Sequence, residues 1–483
     1  MPLGLSPVAW CVAIPGADPS WCNRELRIEI FEPPYFFKPR PQIAANPETV
    51  LTRQLFFVDT PQAGSIAQVV LLKIDSATHG HGFEQRYVGL EFDRIGNNRL
   101  LVRGPYATNV APPGYYLLFV VDGNRVPSVG KFVRVLQHND ATHAGAMVHG
   151  NWGTNGDFEM VVPDPTPTRL VHCFRANDAI PPAWHTIAAF GHVASGGQLG
   201  TATYLGATLI QSNFGVPNLG KLHAAAVLRR VIAPFETVTT QILHYAMDDA
   251  TGVWALSERV DRNGEAEAQG SAAIIQGRFG NRGNFELVVP TAGGGIARYS
   301  RFNDQVAPAW ELQESFASGV GVNAVSLVQS NYDRGDLWVV ARIGNRLGLF
   351  RGRVPNPPGG GETIIWEGPE YFFEGATGMP GFIQSRYGLR GDFEVVTPTE
   401  GGGLAHMSRR NDESSPVWVE RFRFGAGATF SQASLFQSHA GDPGLGNLEV
   451  AARMVSSTRT FFYREIRGSW SLSDSADVCS VAE

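Results

Sequence analysis

Short apolar runs of strand length, separated by turns rich in glycine, proline and asparagine, follow one another along the whole chain. The pattern shows no amphipathic helix of useful length, which disfavours an α/β enzyme. In the first part of the chain it predicts seven strands: Leu26–Phe31, Thr52–Val58, Ile66–Ile74, Arg86–Phe92, Arg99–Val102, Gly114–Val121 and Val126–Val135. Seven short strands over about 110 residues are typical of an immunoglobulin-like sandwich.

A second pattern starts near residue 144 and repeats to the end of the chain. Its element Gln-Ser-Asn-Phe…Gly-Asn-Phe-Glu-Leu-Val-Val recurs six times at intervals of 52 to 64 residues. The copies are Met147–Val162, Thr208–Val227, Ile274–Val289, Ser326–Arg342, Phe382–Val396 and Ser434–Arg453. Each contains one turn glycine: Gly156, Gly220, Gly283, Gly335, Gly391 and Gly446.

Each repeat has room for four strands. In the third repeat we predict Ala273–Gln276, Asn284–Val289, Ile296–Arg301 and Trp310–Phe316. Four strands in a period near 50 residues are typical of a β-propeller, in which a ring of units buries the faces that one unit cannot. We therefore predict an all-β chain with an N-terminal segment at 1–23, an immunoglobulin-like sandwich at 24–138 and a six-bladed propeller at 144–483.

The odd repeats share a sharper signature, Arg-x-Asn-Asp followed by five residues and Trp, with identical spacing in three copies. The members are Arg175, Asn177, Asp178 and Trp184; Arg301, Asn303, Asp304 and Trp310; and Arg409, Asn411, Asp412 and Trp418. The even repeats carry tryptophans without the Asn-Asp turn: Trp254, Trp366 and Trp470. The duplicated unit is therefore a pair of blades, used three times.

Two interpretations of this signature stay open. In the structural one, Asn-Asp forms the turn between the third and fourth strands, Arg pairs with Asp, and Trp fills the gap between blades. In the functional one, the set is a sugar site. Trp stacks on the C–H face of a sugar, the planar polar groups hold its hydroxyls, and three copies give avidity.

Two further polar sets recur from blade to blade. The acids Glu159, Glu286, Glu394 and Glu449 are predicted to pair across blades with repeat arginines, because they recur with the strand itself. The amides Gln211, Gln276, Gln329, Gln384 and Gln437 are predicted to line the central channel or to tie one blade to the next.

Composition narrows the classes of function. Lys+Arg is 39 and Asp+Glu is 45, a net charge of −6, which argues against a nucleic-acid partner. No apolar run approaches the roughly 18 residues of a membrane-spanning helix. The N-terminus lacks the basic region of a clear signal peptide. Gly-x-Ser-x-Gly, His-Glu-x-x-His and P-loop motifs are absent from the sequence.

Four cysteines are present: Cys11, Cys22, Cys173 and Cys479. All could be free thiols, and Cys11 and Cys22 could close a small loop. Cys173 falls in the first blade and Cys479 just past the last strand of the sixth. Because those blades are neighbours in a closed ring, we predict that a Cys173–Cys479 disulfide latches it.

Three segments in the first 140 residues carry a resemblance to a known family. They are RIEIFEPPYFFKPRPQI, DSATHGHGFEQRYVGLEF and NVAPPGYYLLFVVDGNRVPSVGKFVRV, in that order. Residues 24–136 resemble the early-set domain of galactose oxidase and related copper radical oxidases. In that family the domain follows a propeller, so the order here is inverted. The resemblance places a copper-ligand histidine at His79 and a Tyr-His pair where this chain has Arg24 and Glu25.

The ligand set implied by the resemblance is therefore incomplete, since a copper radical site needs two imidazoles and two phenolates. We expect a scaffold without oxidase chemistry, metal or cofactor. The repeat region resembles bacterial and fungal propeller proteins with GNFELVVP…ND…W repeats, many of them lectin-like.

Together these features predict a non-catalytic, multivalent, lectin-like protein that binds a glycan and is extracellular. The alternative is a structural module that binds a protein partner or self-associates through an apolar patch. A copper-dependent oxidase is the third and least favoured possibility.

Overall fold

The computed structural model describes most of the chain beyond residue 31. The described residues are 32–52, 55–74, 77–78, 81–82, 85–95, 97–105, 110–136, 145–152, 156–164, 168–180, 182–191, 200–216, 220–232, 237–262, 264, 267–280, 282–332, 334–355, 364–388, 390–438, 446–455, 459–466 and 468–476. The chain divides into two compact units, Met1–Gln137 and His138–Glu483. The predicted segment 1–23 and the predicted strand Leu26–Phe31 lie outside the described residues.

The first unit is a β-sandwich. Its described strands are β1 (Thr49–Leu51), β2 (Leu55–Asp59), β3 (Ile66–Lys73), β4 (Ala77–Thr78), β5 (His81–Gly82), β6 (Tyr87–Leu90), β7 (Phe92–Ile95), β8 (Arg99–Arg103), β9 (Gly114–Asp122) and β10 (Lys131–Leu136). One sheet has the order β1-β10-β9-β3-β6, the other β2-β8-β7, and β4-β5 form a small ribbon. Two short 3₁₀ turns, Pro34–Phe37 and Ala63–Ser65, complete the described elements.

The core of the sandwich lies between its two larger sheets. Alternate side chains point into it, such as Leu71 and Leu118 from one sheet and Val58 and Leu100 from the other. The buried Tyr116 donates its hydroxyl to the Pro112 carbonyl at 2.8 Å, which closes the turn four residues upstream. The predicted sandwich is confirmed.

Two predicted strands differ from the observed ones. Thr52–Val58 starts late, as β2, which pairs with β8, and the preceding β1 pairs with β10 in the other sheet. Arg86–Phe92 is replaced by β6 and β7, which also join different sheets. Local alternation cannot show such a crossing, because the pattern of buried positions continues through it.

The last predicted strand of the sandwich starts five residues late. Val126 belongs to a turn in which Asp122 Oδ1 accepts the Asn124 and Val126 N–H groups at 2.9 and 2.8 Å. Pro127 follows and has no N–H to donate to a ladder. Regular pairing therefore begins at Lys131.

The second unit contains six four-stranded antiparallel sheets, each in strand order 1-2-3-4. Blades 1 to 3 are β11–β14 (Met147–His149, Phe158–Pro163, Leu170–Ala176, Ala183–Phe190), β15–β18 (Gly200–Val216, Gly220–Ile232, Thr237–Met247, Trp254–Arg259) and β19–β22 (Ala273–Gln276, Phe285–Pro290, Ile296–Arg301, Trp310–Phe316). Blades 4 to 6 are β23–β26 (Val322–Gln329, Leu337–Ile343, Arg346–Arg353, Ile365–Glu374), β27–β30 (Gly381–Gln384, Phe393–Pro398, Leu404–Arg409, Trp418–Phe424) and β31–β34 (Phe430–Gln437, Leu448–Met454, Thr460–Ile466, Ser469–Ala476).

The ring closes between the last blade and the first. The Ala146 N–H donates to Ser434 Oγ at 2.9 Å, and the Phe158 and Phe436 rings meet edge to face at 5.0 Å. Arg453 also donates to the Pro163 carbonyl at 3.0 Å. A six-bladed propeller is confirmed, and in blade 3 three of the four predicted strands have the predicted bounds.

The six predicted turn glycines all connect the first and second strands of their blades with a left-handed backbone, φ from 69° to 77°. In blade 3 a Cβ on Gly283 would lie 2.5 Å from the Gly277 carbonyl oxygen. Only glycine avoids both the strained φ and this collision. The repeat glycines therefore set the hairpin on which the rest of each blade is aligned.

We expect Gly283→Ala to destabilise the chain by about 1 to 3 kcal/mol, because alanine must adopt φ near 73° against a backbone oxygen. Gly293→Ala in the same blade is the control, since nothing lies within 4 Å of a Cβ there. Denaturant unfolding of both variants measures the difference. Equal unfolding free energies would show that the turn tolerates a side chain.

Candidate functional site: the clamps between blades

The odd-blade signature forms one repeated arrangement of hydrogen bonds. In blade 3, Arg301 Nη1 donates to Asn303 Oδ1 at 2.6 Å, and Asn303 Nδ2 donates to the Gly283 carbonyl at 2.7 Å. The same contacts recur in blades 1 and 5. We call these arrangements clamps: Arg175–Asn177–Gly156, Arg301–Asn303–Gly283 and Arg409–Asn411–Gly391.

The aspartates of the signature accept hydrogen bonds from the backbone of the hairpin rather than from the signature arginine. Asp304 Oδ1 accepts the Arg282 N–H at 2.8 Å, and Asp412 Oδ1 accepts the Arg390 N–H at 2.8 Å. The predicted Arg–Asp pairing is therefore wrong for these two blades. The asparagine takes the arginine instead, because its amide can bridge a guanidinium donor and a carbonyl acceptor at once. Asp178 is exposed.

The tryptophans of the signature fill the gaps between blades, as the structural interpretation predicts. Trp184 stacks on Phe462 of blade 6 at 4.6 Å, and Trp418 stacks on Phe372 of blade 4 at 4.3 Å. Trp310 lies edge to face with His244 of blade 2 and is only 3% exposed. Trp310 therefore has no ring face for a sugar, whereas Trp184 and Trp418 are half-buried.

The even-blade tryptophans pack in the same direction. Each stacks on the phenylalanine that ends the fourth strand of the preceding blade. The pairs are Trp254 with Phe190, Trp366 with Phe316 and Trp470 with Phe424, at centroid distances of 4.5, 3.8 and 4.5 Å. One tryptophan per blade thus joins that blade to the one before it.

Three of the six indoles donate to a buried histidine of the preceding blade and so select its tautomer. Trp254 Nε1 donates to His172 Nδ1 at 3.1 Å, and Trp470 Nε1 donates to His406 Nδ1 at 3.2 Å. An acceptor nitrogen carries no proton, so each ring donates through Nε2 instead. Nε2 lies 2.7 Å from Glu159 in blade 1, and the equivalent bond to Glu394 in blade 5 is 2.8 Å.

The repeat acids therefore pair within their own blade, and the predicted pairing across blades is wrong. Glu286 accepts from Arg298 at 2.6 Å, and Glu449 bonds to Arg464 at 2.5 Å. Apart from Glu449, which lies directly opposite Arg464, each acid is diagonal to its partner on the third strand, where side chains share a face. Burial raises the pKa of Glu159, Glu286 and Glu449.

Blade 2 replaces the acid with a second histidine, and a directed chain of hydrogen bonds results. Trp310 Nε1 donates to His244 Nδ1 at 3.3 Å, and His244 Nε2 lies 3.0 Å from His223 Nδ1. His223 Nε2 then reaches Ser212 Oγ at 3.2 Å, and this hydroxyl donates to the Lys221 carbonyl at 3.1 Å. Each contact in this chain then joins one donor to one acceptor, and this assignment requires both imidazoles to be neutral.

The electrostatics of this pair agree with that assignment. Burial lowers the pKa of His244 to about 3, with smaller contributions from the positive charges of Arg301 and Lys221. Burial and the neighbouring His244 lower the pKa of His223 well below its usual value.

The repeat glutamines tie consecutive blades together, one of the two roles predicted for them. Gln276 Oε1 accepts the Asn213 N–H of the preceding blade at 2.8 Å, and Gln384 Oε1 accepts the Asn331 N–H at 2.8 Å. Gln211, Gln329 and Gln437 make the same contact. In blade 1 His149 occupies the glutamine position and reaches the Gly156 carbonyl at 3.1 Å.

The clamps differ in what surrounds their donors. Arg301 Nε lies 3.5 Å from Glu258 of blade 2, and Trp310 Nε1 has His244. Within the described part of the chain, Arg175 Nε, Trp184 Nε1, Arg409 Nε and Trp418 Nε1 are buried without a hydrogen-bond partner. Among the described residues Arg301 Nε also lacks a hydrogen bond, so the 2–3 interface differs in its bonded indole and its nearby carboxylate, whereas the signature indoles at the 6–1 and 4–5 interfaces stay unused.

The sequence analysis missed the histidines that receive the indoles, although a signal for them exists. His172, Arg298 and His406 each stand three residues before the signature arginine of their blade. A basic side chain at this fixed position, alternating in sequence with apolar core residues, marks the polar centre of each odd blade.

The remaining predicted residues can be placed only in part. Cys173 is disulfide-bonded, and Cys11, Cys22 and Cys479 lie outside the described residues, so the pairing of Cys173 with Cys479 stays a prediction. His79, Arg24 and Glu25 also lie outside them. The described residues contain no group of three or more metal-ligating side chains and no helix that could cross a membrane.

Comparison with known proteins identifies the first unit. Residues 40–135 match the family model described as "Galactose oxidase-like, Early set domain". These residues are a galactose oxidase-like early set domain. An aldehyde oxidase GLOX from Vitis pseudoreticulata is 34% identical over 145 residues, which cover 26% of this chain and 27% of that protein. A galactose oxidase from Gibberella zeae is 30% identical over 114 residues, 23% of this chain and 17% of its own length.

The chain thus spans less than a third of the length of these curated relatives. Among solved structures, the BP39L lectin from Burkholderia pseudomallei covers 75% of this chain and 95% of its own, at 14% identity and a TM-score of 0.41. A putative 6-phosphogluconolactonase from Bacteroides uniformis covers 85% and 97%, at 10% identity and a TM-score of 0.37. These likenesses are too distant to add to the fold described above.

We expect Trp310→Phe to cost about 1 to 3 kcal/mol more stability than Trp418→Phe. The first substitution leaves the buried His244 Nδ1 without its donor, whereas the Trp418 indole N–H has no partner to lose. Denaturant unfolding of both variants measures the difference. Equal losses would mean that the indole bond adds nothing to ring packing.

The histidine pair should make the chain sensitive to acid. The unfolded state binds protons at histidine below about pH 6.5, but the folded state resists protonation of His244 down to about pH 3, so stability falls as the pH drops between these values. From pH 7 to 5 we expect a loss of about 2 kcal/mol from His244 alone. His244→Gln should reduce the loss by this amount, and parallel curves for both proteins would contradict the assignment.

Proposed function

We propose that the chain is a non-catalytic, multivalent carbohydrate-binding protein whose sites are the clamps at the 6–1 and 4–5 blade interfaces. One observation carries the proposal: a half-buried tryptophan with an unused indole N–H stands opposite an arginine already oriented by asparagine. The strand register pairs Arg175 with Trp184 and Arg409 with Trp418.

This arrangement supplies the contacts that a sugar requires. An aromatic ring stacks on the C–H face of a pyranose, and planar donors hold its hydroxyls. The asparagine of each clamp holds the arginine in place, which reduces the entropy lost on binding. Two sites on one rigid ring allow avidity for a repeating glycan.

We propose an extracellular location and a scaffold role for the early set domain. The disulfide at Cys173 supports an oxidising compartment, because cytosolic thiols stay reduced. The relatives that share the domain include an enzyme named for a sugar, galactose oxidase. Arg24 and Glu25 stand where the resemblance to copper radical oxidases places a Tyr-His pair. We therefore propose no oxidase activity.

A second candidate, a protein-binding or self-associating module, is favoured by the outer face of the sandwich. Phe132, Leu117, Leu72 and Tyr87 lie side by side in register across four strands. Phe132 is 68% and Tyr87 64% exposed, so the row presents an apolar surface to solvent.

A glycan array with the full-length chain tests the first proposal. We expect selective binding that a free sugar competes away. The double variant Trp184→Phe, Trp418→Phe should lower the apparent affinity at least about tenfold, since each site loses a donor and ring area. Trp254→Phe is the matched control, because its indole serves His172 inside a blade interface, and it should bind like the wild type.

Two outcomes would contradict the proposal. A silent array would favour the module instead, and size-exclusion chromatography of wild type and Phe132→Ser would then show whether the apolar row mediates association. Binding that survives the double variant unchanged would place the sugar site elsewhere on the chain.

A further inference from the structure

The clamp between blades 4 and 5 contains a buried positive charge without a carboxylate. Arg409 is only 9% exposed. Its one hydrogen bond is from Nη1 to Asn411, and its guanidinium lies 5.4 Å from the Trp338 ring and 5.7 Å from the Phe393 ring. Within the described part of the chain no acid is within 4.0 Å of this guanidinium, and its Nε is buried with no acceptor.

The equivalent arginines have acids near them. Arg301 lies 3.5 Å from Glu258 of the preceding blade. Arg175 is under the influence of Asp474 and Glu449 of blade 6, whose charges oppose the lowering of its pKa by burial. The comparison within one molecule shows negative charge near the other two signature arginines, whereas among the described residues Arg409 has no ion-pair partner.

Two more donors at the same interface are unused. Trp418 stands opposite Arg409 in the strand register, and Trp338 lies under its guanidinium. The indole nitrogens of both are buried without a partner within the described residues. Three unpaired donors around one buried guanidinium suit an anion, because a buried charge is costly unless it is compensated.

The acids of the clamp do not fill this role. Asp412 Oδ1 accepts the Arg390 N–H and Asp392 Oδ1 accepts the Asn411 N–H. Both bonds face the hairpin that the asparagine holds. Since Asn411 occupies Nη1, the Nε edge of the Arg409 fork is the edge left for a planar, bidentate ligand.

We propose that the 4–5 clamp binds a carboxylate, carried by an acidic sugar or by a small organic acid. The acidic-sugar form rests on the proposed carbohydrate-binding function, and the carboxylate site itself does not. The guanidinium edge of Arg409 takes the two carboxylate oxygens, and the half-buried Trp418 contacts the remainder of the ligand.

Isothermal titration of the full chain with D-galacturonate, acetate and D-galactose tests this proposal. We expect galacturonate to bind and galactose to bind at least about tenfold more weakly, since a charged hydrogen-bonded pair contributes a factor of about 10 to 100. If acetate binds as tightly as galacturonate, the ligand is a simple carboxylate. If galacturonate binds more tightly than acetate, the ligand is an acidic sugar. Galactose as tight as galacturonate, or no binding of either anion, overturns the proposal.

Arg409→Gln should weaken galacturonate binding about tenfold or more, while Arg301→Gln, whose guanidinium already has Glu258 at 3.5 Å, should leave it unchanged. Equal effects of the two variants would overturn the assignment. If Arg409→Gln does not fold, Trp418→Phe serves instead and should weaken galacturonate about threefold or more.

A direct readout uses the indole N–H resonances in a ¹H–¹⁵N correlation spectrum. Galacturonate should shift the Trp418 signal, identified by its loss in Trp418→Phe, and leave the Trp254 signal in place. A static Trp418 signal at saturating galacturonate would overturn the proposal. If the glycan array shows no binding but a carboxylate binds, the proposed lectin function is wrong and the proposed carboxylate site is supported.

Discussion

The propeller depends on the tryptophan that each blade directs into the blade before it. All six rings lie against the preceding sheet, and four of their indole nitrogens donate to a polar side chain there, three of them to a buried histidine. A buried histidine or carboxylate would otherwise destabilise the interior of a sheet. The indole supplies the missing donor and packing area together, so the contact joins neighbouring blades and satisfies the polar centre of one of them.

The other repeat residues act at the same end of each blade, since Gln276, Arg301 and Trp310 lie in one row of the strand register. Glutamine oxygens accept backbone N–H groups from the preceding blade, and the clamp asparagines hold the turn glycines of their own hairpins. These bonds use backbone groups that a turn between strands would leave exposed or unpaired. These structural bonds are therefore sufficient to explain why the signature has identical spacing in three copies, without invoking a ligand.

The repeat departs from its own pattern at the 4–5 interface, where we propose binding. Blade 4 has Trp338 where Glu159, Glu286 and Glu394 stand in blades 1, 3 and 5, so the Trp418 indole meets no polar centre. At the 2–3 interface the Trp310 indole donates to His244 and Glu258 lies 3.5 Å from Arg301 Nε. The same signature therefore satisfies its indole at one interface and, among the described residues, leaves it without a partner at another.

The sequence alone determined the sandwich, the six blades and most strand bounds of blade 3, since alternation, turn glycines and repeat spacing are local properties. Tertiary structure decided the partner of each repeat acid, because a diagonal position across two strands depends on register. It also decided which signature tryptophans are fully buried and which are only half-buried. That outcome depends on side chains such as His244 and Phe372, which belong to another blade and lie more than forty residues away along the chain.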